Sequence, residues 1–597
     1  MQKNKGKKYL VTTNIEETWF KDEKIFFLGP WCKDFENEEK ISKLNHIFHT
    51  HHWQHNNEKL SKDNNYIKDL TNRLIGYIKD DLKINQNLQL KQEFWKISTE
   101  YWLMSFITIA YDKWETLKSF LNEDEQYVTK IVNYKKNDFI PTGLENYYRL
   151  RHLDIFHHYI FSEILKYFKY KKNYSIEILK VDHNYLDQIN QKHFKKFNIL
   201  SHKIKLNLIN IFNIFYQFLC ANNNYCIFDR YQNKLENLKL NLSLNQLPIL
   251  FLYRDLGKKK NFTRENIKLF SKDFEYKNDF ESFISSFLPQ IIPFSFVEEL
   301  KNYITKIKKS YLPKSPKTIF ATNIVTNTFL SIYCGLKKDE SSKIIFAQHG
   351  GSYGQHLIVP QEYFERKVSD KFLTWGWDCK DDKKVTQFCY LKKNNDKLVN
   401  YQNNRKLLLI NRVQKKYITD IDPYSSSIDK SEYFVGQKNF LNTLDENLKK
   451  EVIIRYKALD YMKQKIFDKR NFPNLKIDEG ETDINELFKT SKVVVSQAIQ
   501  TTYLESLSLN IPTIVFTHHK SELFRDDFLP YLKRLKDNKI FFDDAIEAAR
   551  HLNKNWADID NWWKNNKTQE IVLDFSNKYI FRNKNRLQDK KNVLLNI

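Results

Sequence analysis

The segment from residue 344 to residue 356 constrains the fold more than any other part of the sequence. It has the sequence Ile-Ile-Phe-Ala-Gln-His-Gly-Gly-Ser-Tyr-Gly-Gln-His, so a β-branched and aromatic run ends abruptly in a glycine-rich stretch. The chain has only 12 glycines in 597 residues, and Gly350, Gly351 and Gly354 lie close together here. Glycine can adopt positive φ and lets other groups approach the backbone. The pattern predicts a buried strand, a tight glycine turn and an exposed imidazole at His349.

A β-turn with a solvated histidine would give the same local pattern, so the neighbouring strands are needed to decide between the two interpretations. Strands are predicted at residues 318–322 and 343–347, with a helix between them. This spacing is typical of a parallel βαβ unit. Ligands bind beyond the carboxyl ends of strands in such sheets, which is where His349 lies. His349 is therefore a candidate general base, and Gly350 and Gly351 are candidate ligand contacts.

Glu17 is an alternative candidate base. It lies in the loop after the first predicted strand, at residues 9–13, and a second strand is predicted at residues 25–28. We expect the first strand to belong to the same sheet as the strand before His349, so that both side chains face one cleft. An N-cap in a surface loop would explain Glu17 equally well.

The second half of the chain repeats the alternation of strands and helices. Strands are predicted at residues 406–410, 451–454, 493–495 and 513–516. Arg412 and Arg455 follow the first two of these strands. The planar guanidinium group suits phosphate, so both arginines are candidate donor-binding residues at one crevice.

A helix that begins with hydroxyl residues follows the strand at residues 493–495. Its first turn contains Thr501 and Thr502, and Glu505 lies one turn along. Free amides and the positive end of the helix dipole suit a phosphate, and a carboxylate one turn further can accept from ribose hydroxyls. A capping box between a threonine and Glu505 needs no ligand and explains the same residues.

The length of 597 residues exceeds what one core supports and predicts about two to four domains. The alternation of strands and helices in both halves predicts an α/β protein with two Rossmann-like domains. The predicted N-terminal domain covers residues 1–400 and includes a helical insertion at about 59–180. The predicted C-terminal domain covers residues 401–545, and a helical tail follows at 546–597. A short strand at 250–253 and a linker at 392–405 are also predicted.

Charge and composition limit the classes of partner. The net charge is +24, but lysine is abundant almost everywhere and no RNA-binding signature or zinc-finger spacing appears. We therefore expect no nucleic-acid partner. The chain has no signal-peptide or membrane-spanning pattern, and its six cysteines are scattered, which favours a cytoplasmic protein with at most peripheral contact with the inner membrane.

Histidines at positions 46, 49, 51, 52 and 55 form the only run that resembles a metal site. A zinc site needs further ligands at defined spacing, and no His-Glu-x-x-His or cysteine partner is nearby. No convincing Asp-x-Asp sequence occurs either. We therefore expect a polar loop here, and no metal or cofactor.

Several short motifs match, in order, those of a known family. The matches are Leu10-Val11-Thr12-Thr13, Glu17-Thr18-Trp19, Leu28-Gly29 with Trp31-Cys32, Tyr101-Trp102, Asp112-Lys113-Trp114, the Gln348 to Gly354 loop, and Thr501-Thr502-Tyr503-Leu504-Glu505-Ser506-Leu507. With these motifs the chain resembles the LIC12162 family of putative transferases, which is found with bacterial surface-polysaccharide genes. Two positions depart from the family pattern, Pro30 and Lys113, and neither is assigned a catalytic role.

The resemblance implies a glycosyltransferase of the GT-B fold that uses a nucleotide-sugar donor and a glycan or lipid-linked acceptor. The His-Gly loop is also similar to that of teichoic-acid glycerophosphotransferases and GT-B Kdo transferases. This similarity implies a CMP- or CDP-linked donor and a Kdo-like sugar in the synthesis of surface polysaccharide or lipopolysaccharide. In that role His349 would take the acceptor proton, the arginines and threonines would hold the phosphates, and Glu505 would bind the ribose.

Three other functions fit parts of the sequence. A CDP-polyol phosphotransferase on the same fold would differ in the donor that it hydrolyses. A non-catalytic scaffold of an envelope-assembly complex would not need polar groups that converge on one crevice. Nucleic-acid binding through the positive charge would show steep salt dependence.

Overall fold

Three parallel β-sheets, flanked by helices, organise the described part of this computed structural model. The described residues are 6–86, 88–190, 216, 218–249, 264, 274–392, 400–402, 404–425, 430–457, 459–517 and 523–597. All strand pairs between the named strands are parallel. The predicted α/β class is therefore confirmed.

The first sheet has the order β3-β2-β1-β4-β5. Its strands are β1 (Lys8–Val11), β2 (Ile25–Phe27), β3 (His46–Phe48), β4 (Gln126–Val132) and β5 (Ser175–Val181). Its helices are α1 (Glu38–Ser42), α2 (Asn57–Gln86), α3 (Gln92–Phe120), α4 (Leu144–Leu150), α5 (Asp154–Lys171) and α6 (Leu186–Asn190). The aromatic run that begins at Phe94 lies in α3, where it is buried almost throughout because apolar residues occupy every face of that helix.

The middle sheet has the order β10-β9-β8-β7-β6, so its strands follow one another without a reversal. They are β6 (Tyr225–Phe228), β7 (Thr318–Ala321), β8 (Lys343–Ala347), β9 (Lys371–Leu373) and β10 (Val385–Thr386). The helices of this part are α7 (Lys234–Ser243), α8 (Asp279–Phe287), α9 (Leu300–Lys308), α10 (Thr328–Asp339) and α11 (Pro360–Val368).

The third sheet has the order β13-β12-β11-β14-β15-β16, the arrangement of a Rossmann sheet. Its strands are β11 (Lys406–Ile410), β12 (Val452–Arg455), β13 (Lys476–Asp478), β14 (Ser491–Ser496), β15 (Thr513–Phe516) and β16 (Phe541–Phe542). Its helices are α12 (Ser431–Thr443), α13 (Glu446–Lys449), α14 (Gln464–Asn471), α15 (Ile484–Thr490), α16 (Thr501–Ser508), α17 (Leu529–Asp537), α18 (Ala545–Asn555), α19 (Ile559–Trp563) and α20 (Asn566–Tyr579). The last helix, α21 (Arg586–Leu595), packs on the middle sheet through Leu594. The strand order reverses between β11 and β14, and such a switch point opens a crevice for ligands.

The main difference from the sequence prediction lies in the N-terminal half. The range 1–400 holds two parallel sheets, and the segment expected to be a helical insertion contributes β4 and β5 to the first of them. This arrangement was not predicted because the long helices α2 and α3 separate β3 from β4 by far more chain than a usual crossover. The predicted strand at 250–253 and most of the predicted linker at 392–405 lie outside the described residues, and the domain limits remain a prediction.

Buried ion pairs join the first sheet to the third. Lys416, which follows β11, lies 3.2 Å from Asp34 and 3.0 Å from Asp154. Arg151, just after α4, pairs with Asp420 at 2.9 Å. Removing one partner from such a pair leaves an uncompensated buried charge, so these contacts hold the two parts in a fixed relation. No helix of the described residues combines the length and apolar character needed to cross a membrane.

A buried polar network supports the carboxyl ends of β11 and β12. Asn411 donates to Gln437 at 3.3 Å, Gln437 donates to Asp468 at 2.7 Å, and the Tyr456 hydroxyl donates to the other Asp468 oxygen. Asp468 is fully buried, and burial raises its pKa to about 7. Its carboxyl group therefore holds a proton in the folded chain at a pH where an unfolded aspartate is ionised.

The difference between the folded and the unfolded pKa of Asp468 predicts that the stability of the chain depends on pH. The substitution Asp468→Asn should remove this dependence. The unfolded pKa is about 3.9, so between that value and about 7 the folded state binds the extra proton. The free energy of unfolding should then fall as pH rises, by up to about 1.4 kcal/mol per pH unit. Thermal unfolding at pH 5 and pH 8 should show the wild type losing stability relative to Asp468→Asn. Equal losses of stability in the wild type and in Asp468→Asn would contradict the raised pKa of Asp468.

Candidate active site

The glycine loop after β8 forms one side of the candidate site. Gln348 is fully buried, and its side-chain oxygen accepts from the Trp375 backbone at 2.9 Å and from the Trp377 indole at 2.8 Å. Its side-chain nitrogen donates to the Gly350 carbonyl at 2.8 Å, which fixes the turn. Of the three loop glycines, Gly354 has positive φ, at 72°. Gln348 therefore holds the loop at the carboxyl end of β8, but the His349 side chain is only 13% exposed, so the prediction of an exposed imidazole was wrong.

His349 is part of a close trio with Glu365 and Tyr353. Its Nε2 lies 2.9 Å from Glu365 and 3.0 Å from the Tyr353 hydroxyl, which itself donates to Glu365 at 3.2 Å. Glu365 is fully buried on α11, and burial raises the pKa of its carboxyl group although His349 lowers it. A carboxylate on Nε2 selects the tautomer that carries its proton there. Nδ1, which has no hydrogen bond among the described residues, is then the basic nitrogen.

The glycine loop meets the start of α16 directly. The Gly351 backbone N–H donates to the Thr501 hydroxyl at 3.0 Å, and the Ser352 hydroxyl lies 3.5 Å from the Ile499 carbonyl. A methyl group at position 351 would collide with the backbone of Gln500 and Thr501. Gly351 is therefore required for the close approach of the middle and third sheets. This contact brings the predicted catalytic loop and the predicted phosphate-binding helix into one crevice.

The switch point of the third sheet opens beside that contact. Arg412 follows β11 and lies 3.3 Å above the Tyr424 ring. Burial raises the pKa of the nearby Asp422 carboxyl, but Lys415 and Arg412 outweigh it and hold this pKa below its usual range. Gln497 follows β14 and is only 2% exposed.

Several buried polar atoms at this switch point have no hydrogen-bond partner among the described residues. They are both polar atoms of the Gln497 side chain, Oδ1 of Asn411 and Nε2 of Gln414. Buried polar atoms are nearly always paired in proteins, so a cluster of unpaired ones points to a missing ligand or to water. Sequence reasoning missed Gln497, although its position directly after a strand end is the same signal that identified Arg412.

The other candidate donor-binding residues are placed less favourably for contact with a ligand. Arg455 forms an ion pair with Asp478 on the neighbouring β13. Glu505 is buried and accepts from the Tyr390 hydroxyl and from Lys392 at 3.0 Å. The capping box is not formed, because no side chain caps the start of α16. Thr502 is half-buried on the first turn of α16.

Glu17 lies in a different sheet from His349, which corrects the expectation that they share one. Glu17 follows β1 of the first sheet, whereas His349 follows β8 of the middle sheet. The Glu17 carboxylate is about half exposed and pairs with His183 at 3.1 Å. The expectation was wrong because no local signal indicates that residues 1–400 form two sheets.

The first sheet contributes a further group of side chains near the crevice. Arg151 donates to Asp420 and to Ser105, and its guanidinium lies 4.0 Å above the Tyr148 ring. Burial raises the pKa of Tyr101 well above its usual range, and the charges of Asp420 and Glu365 raise it further. The Tyr101 ring packs against the rings of Tyr148 and of Phe364 on α11, with centroids 6.4 Å and 5.6 Å apart, so this residue of the Tyr101-Trp102 motif lies near the site.

One cluster of the described residues has the side chains and spacing of a metal site. It consists of His51, His52 and Asp112, whose ligand-type atoms lie within 4.8 Å of one another. His51 Nδ1 accepts from the Trp53 backbone at 3.1 Å, so its proton is on Nε2 and points at Asp112, 2.6 Å away. Lys113 holds the other Asp112 oxygen. A metal would have to displace these donors from His51 and Asp112, whereas both ring nitrogens of His52 have no hydrogen-bond partner among the described residues.

Comparison with known proteins decides the family. The model of the LIC12162 family transferases matches residues 8–594, which is nearly the whole chain. The chain belongs to the LIC12162 family of transferases. No curated protein sequence matches the chain. The resemblance drawn from the motifs is confirmed, and with it the expectation of a transferase enzyme.

The solved structures that this family member resembles match at low identity. The wall teichoic acid polymerase TagF is 13% identical, over 47% of this chain and 72% of that one, with a TM-score of 0.30. HepE of Anabaena, solved with UDP and glucose, is 11% identical over 53% and 89%, with a TM-score of 0.32. WaaG, a glycosyltransferase involved in lipopolysaccharide biosynthesis, is 9% identical over 50% and 96%, with a TM-score of 0.27.

The contact between the two loops gives a prediction about this family member's stability. Gly351→Ala should lower the free energy of unfolding by about 1–3 kcal/mol, because the added methyl meets rigid backbone of α16. Gly350→Ala is the matched control, since its methyl would lie 3.3 Å from the Tyr353 ring and no backbone lies near it. Thermal unfolding of the two variants measures the difference. Equal effects at positions 350 and 351 would show that the contact with α16 is not close in solution.

Proposed function

We propose that this transferase is a GT-B-type glycosyltransferase that moves a sugar from a nucleotide-activated donor to a hydroxyl group of a growing bacterial surface glycan. The observation that carries the proposal is the contact between Gly351 and Thr501. It places a histidine on a glycine turn opposite a helix start and an arginine, at the switch point of a Rossmann sheet. Membership in a family of transferases supports the reaction class.

The donor lies at the switch point in this proposal. Arg412 and the first amides of α16, with the Thr502 hydroxyl, hold the phosphates and stabilise the charge of the leaving nucleotide. Gln497 supplies one donor and one acceptor to the nucleotide, which would satisfy its unpaired amide. Because Arg455 and Glu505 have protein partners, we assign them to the support of the sheet and of the junction with residues 390–392.

His349 acts as the general base. Its Nε2–H donates to Glu365, and Nδ1 takes the proton of the acceptor hydroxyl. The acceptor oxygen then forms a bond to the anomeric carbon while the bond from that carbon to the phosphate oxygen breaks, and the electron pair leaves with the nucleotide. A base of this kind contributes roughly 10²- to 10⁴-fold to the rate. Glu365 orients the imidazole and stabilises the imidazolium that forms.

The finer assignments remain hypotheses of this proposal. The similarity of the His-Gly loop to that of Kdo and glycerophosphate transferases favours a CMP- or CDP-linked donor. A glycan or lipid-linked acceptor would bring the protein to the inner face of the cytoplasmic membrane. A CDP-polyol donor would use the same residues, and the identity of the donor distinguishes the two reactions.

A thermal-shift screen against CMP, CDP, UDP, GDP and ADP tests the donor site. A nucleotide at 100 times its dissociation constant should stabilise the folded wild type by about 2.7 kcal/mol. Gln497→Ala and Arg412→Met should lose most of that response, because they remove the proposed contacts. Gln402→Ala, which changes an exposed glutamine outside the crevice, should keep it.

Two outcomes would contradict the donor site. One is that no nucleotide stabilises the wild type at millimolar concentration, which would favour a scaffold. The other is that a nucleotide stabilises the wild type and both crevice variants equally, which would place its site elsewhere.

A further inference from the structure

A groove of about 1190 Å³ opens beside α11, the helix that carries Glu365. Its walls come from all three parts of the chain, namely α2, α11, residues 378–384, residues 524–527, α17 and α20. Drug-sized ligands occupy pockets of about 300–1,000 Å³, so this groove has room for a longer ligand. The proposed nucleotide site lies at the switch point of the third sheet, so it does not account for this groove.

The charges that line the groove are nearly balanced. Seven basic and six acidic side chains line it, although the whole chain carries +24. Most of these charges are paired within the walls. Arg366 binds Glu362 at 3.0 Å and Asp382 at 2.9 Å, and Lys578 binds Asp378. Nucleic acids and anionic membranes select a large excess of unpaired Lys and Arg. Here three lysines (Lys68, Lys380 and Lys384) and two aspartates (Asp381 and Asp526) have no ion-pair partner among the described residues, so the groove favours a neutral ligand.

The same side chains suit a ligand rich in hydroxyl groups. A hydroxyl both donates and accepts, and fixed pairs of guanidinium and carboxylate groups offer both functions side by side. Tyr363 and Tyr531 add half-buried aromatic rings that can contact the apolar side of a sugar. The Lys68 ammonium lies 4.2 Å above the Tyr363 ring, and no carboxylate of the described residues pairs with it.

The groove shares its wall with the candidate active site. Glu362 in the groove accepts from the Gly354 backbone at 3.0 Å, and Glu365 on the same helix binds His349. Residue Leu357, which is 59% exposed in the groove, follows directly from the glycine loop. Its backbone N–H donates to the Leu523 carbonyl at 2.9 Å, which ties the loop to the opposite wall. A ligand in the groove is therefore held against the chain segment that carries His349.

We propose that the groove binds the non-reacting part of the acceptor, a neutral oligosaccharide. The inference rests on the proposed glycosyl transfer and adds the chemical class of the acceptor and its place on the enzyme. The reacting end of the chain reaches His349, while the preceding sugars lie along α11 between Tyr363 and Tyr531.

Binding to an array of bacterial oligosaccharides, with heparin and an acidic peptide as further probes, tests the proposal. Leu357→Trp fills the groove without removing a buried contact, and Tyr363→Ser removes a ring. Both should weaken binding of neutral oligosaccharides by at least about tenfold, which corresponds to about 1.4 kcal/mol. The matched control is Leu573→Trp, a similar change at a leucine that is 64% exposed and outside the groove, and it should bind like the wild type.

The nucleotide thermal shift, measured on the same proteins, separates this proposal from the previous one. We expect Leu357→Trp to keep the nucleotide response while it loses oligosaccharide binding. Nucleotide binding without any binding of neutral oligosaccharides would overturn the groove proposal and leave the donor site standing. Binding that is unaffected by Leu357→Trp, or that is confined to heparin or the peptide, would also overturn it. Loss of both responses in the wild type would overturn both proposals.

Discussion

The close contact between the Gly351 backbone and the start of α16 is the constraint on which the candidate active site depends. It requires a residue without a side chain at position 351, and it fixes the middle sheet against the third sheet. Through it the His349 loop, oriented by buried Glu365, lies against a helix start beside Arg412. The candidate base and the candidate phosphate-binding helix start, which lie on separate sheets, thus become parts of one crevice.

The rest of the chain holds these parts in place. Lys416 and Arg151 form buried ion pairs between the first and third sheets, and Glu505 joins the third sheet to Tyr390 and Lys392. Breaking such pairs costs several kcal/mol, about 3–5 for a single buried partner. The first sheet therefore supports the site, and Tyr101 on α3 packs against Phe364, the neighbour of Glu365 on α11.

Local sequence signals predicted the strands that precede the candidate residues, namely β1, β8, β11, β12 and β14, because β-branched runs followed by glycine, arginine or hydroxyl residues can be recognised without tertiary information. They missed β3, β4, β5, β6, β10, β13 and β16. They identified His349, Arg412 and Thr501. They could not predict that β4 and β5 join β1, since strand pairing across long helices is a long-range choice. They also could not predict that Asp478 and Lys392 would pair with Arg455 and Glu505, nor that Glu365 would reach His349, because those partners are set by packing.

The most direct test of the account is the release of nucleotide from a panel of CMP-, CDP-, UDP- and GDP-sugars, with water as the acceptor, by the wild type and by His349→Gln. Glutamine can still donate to Glu365, so the variant keeps that contact and loses the basic Nδ1. If His349 is the general base, the wild type should hydrolyse one class of donor. The variant should be slower by at least about 100-fold while it still binds the nucleotide. Equal rates in the two proteins would contradict the role of His349 and with it the account of the site.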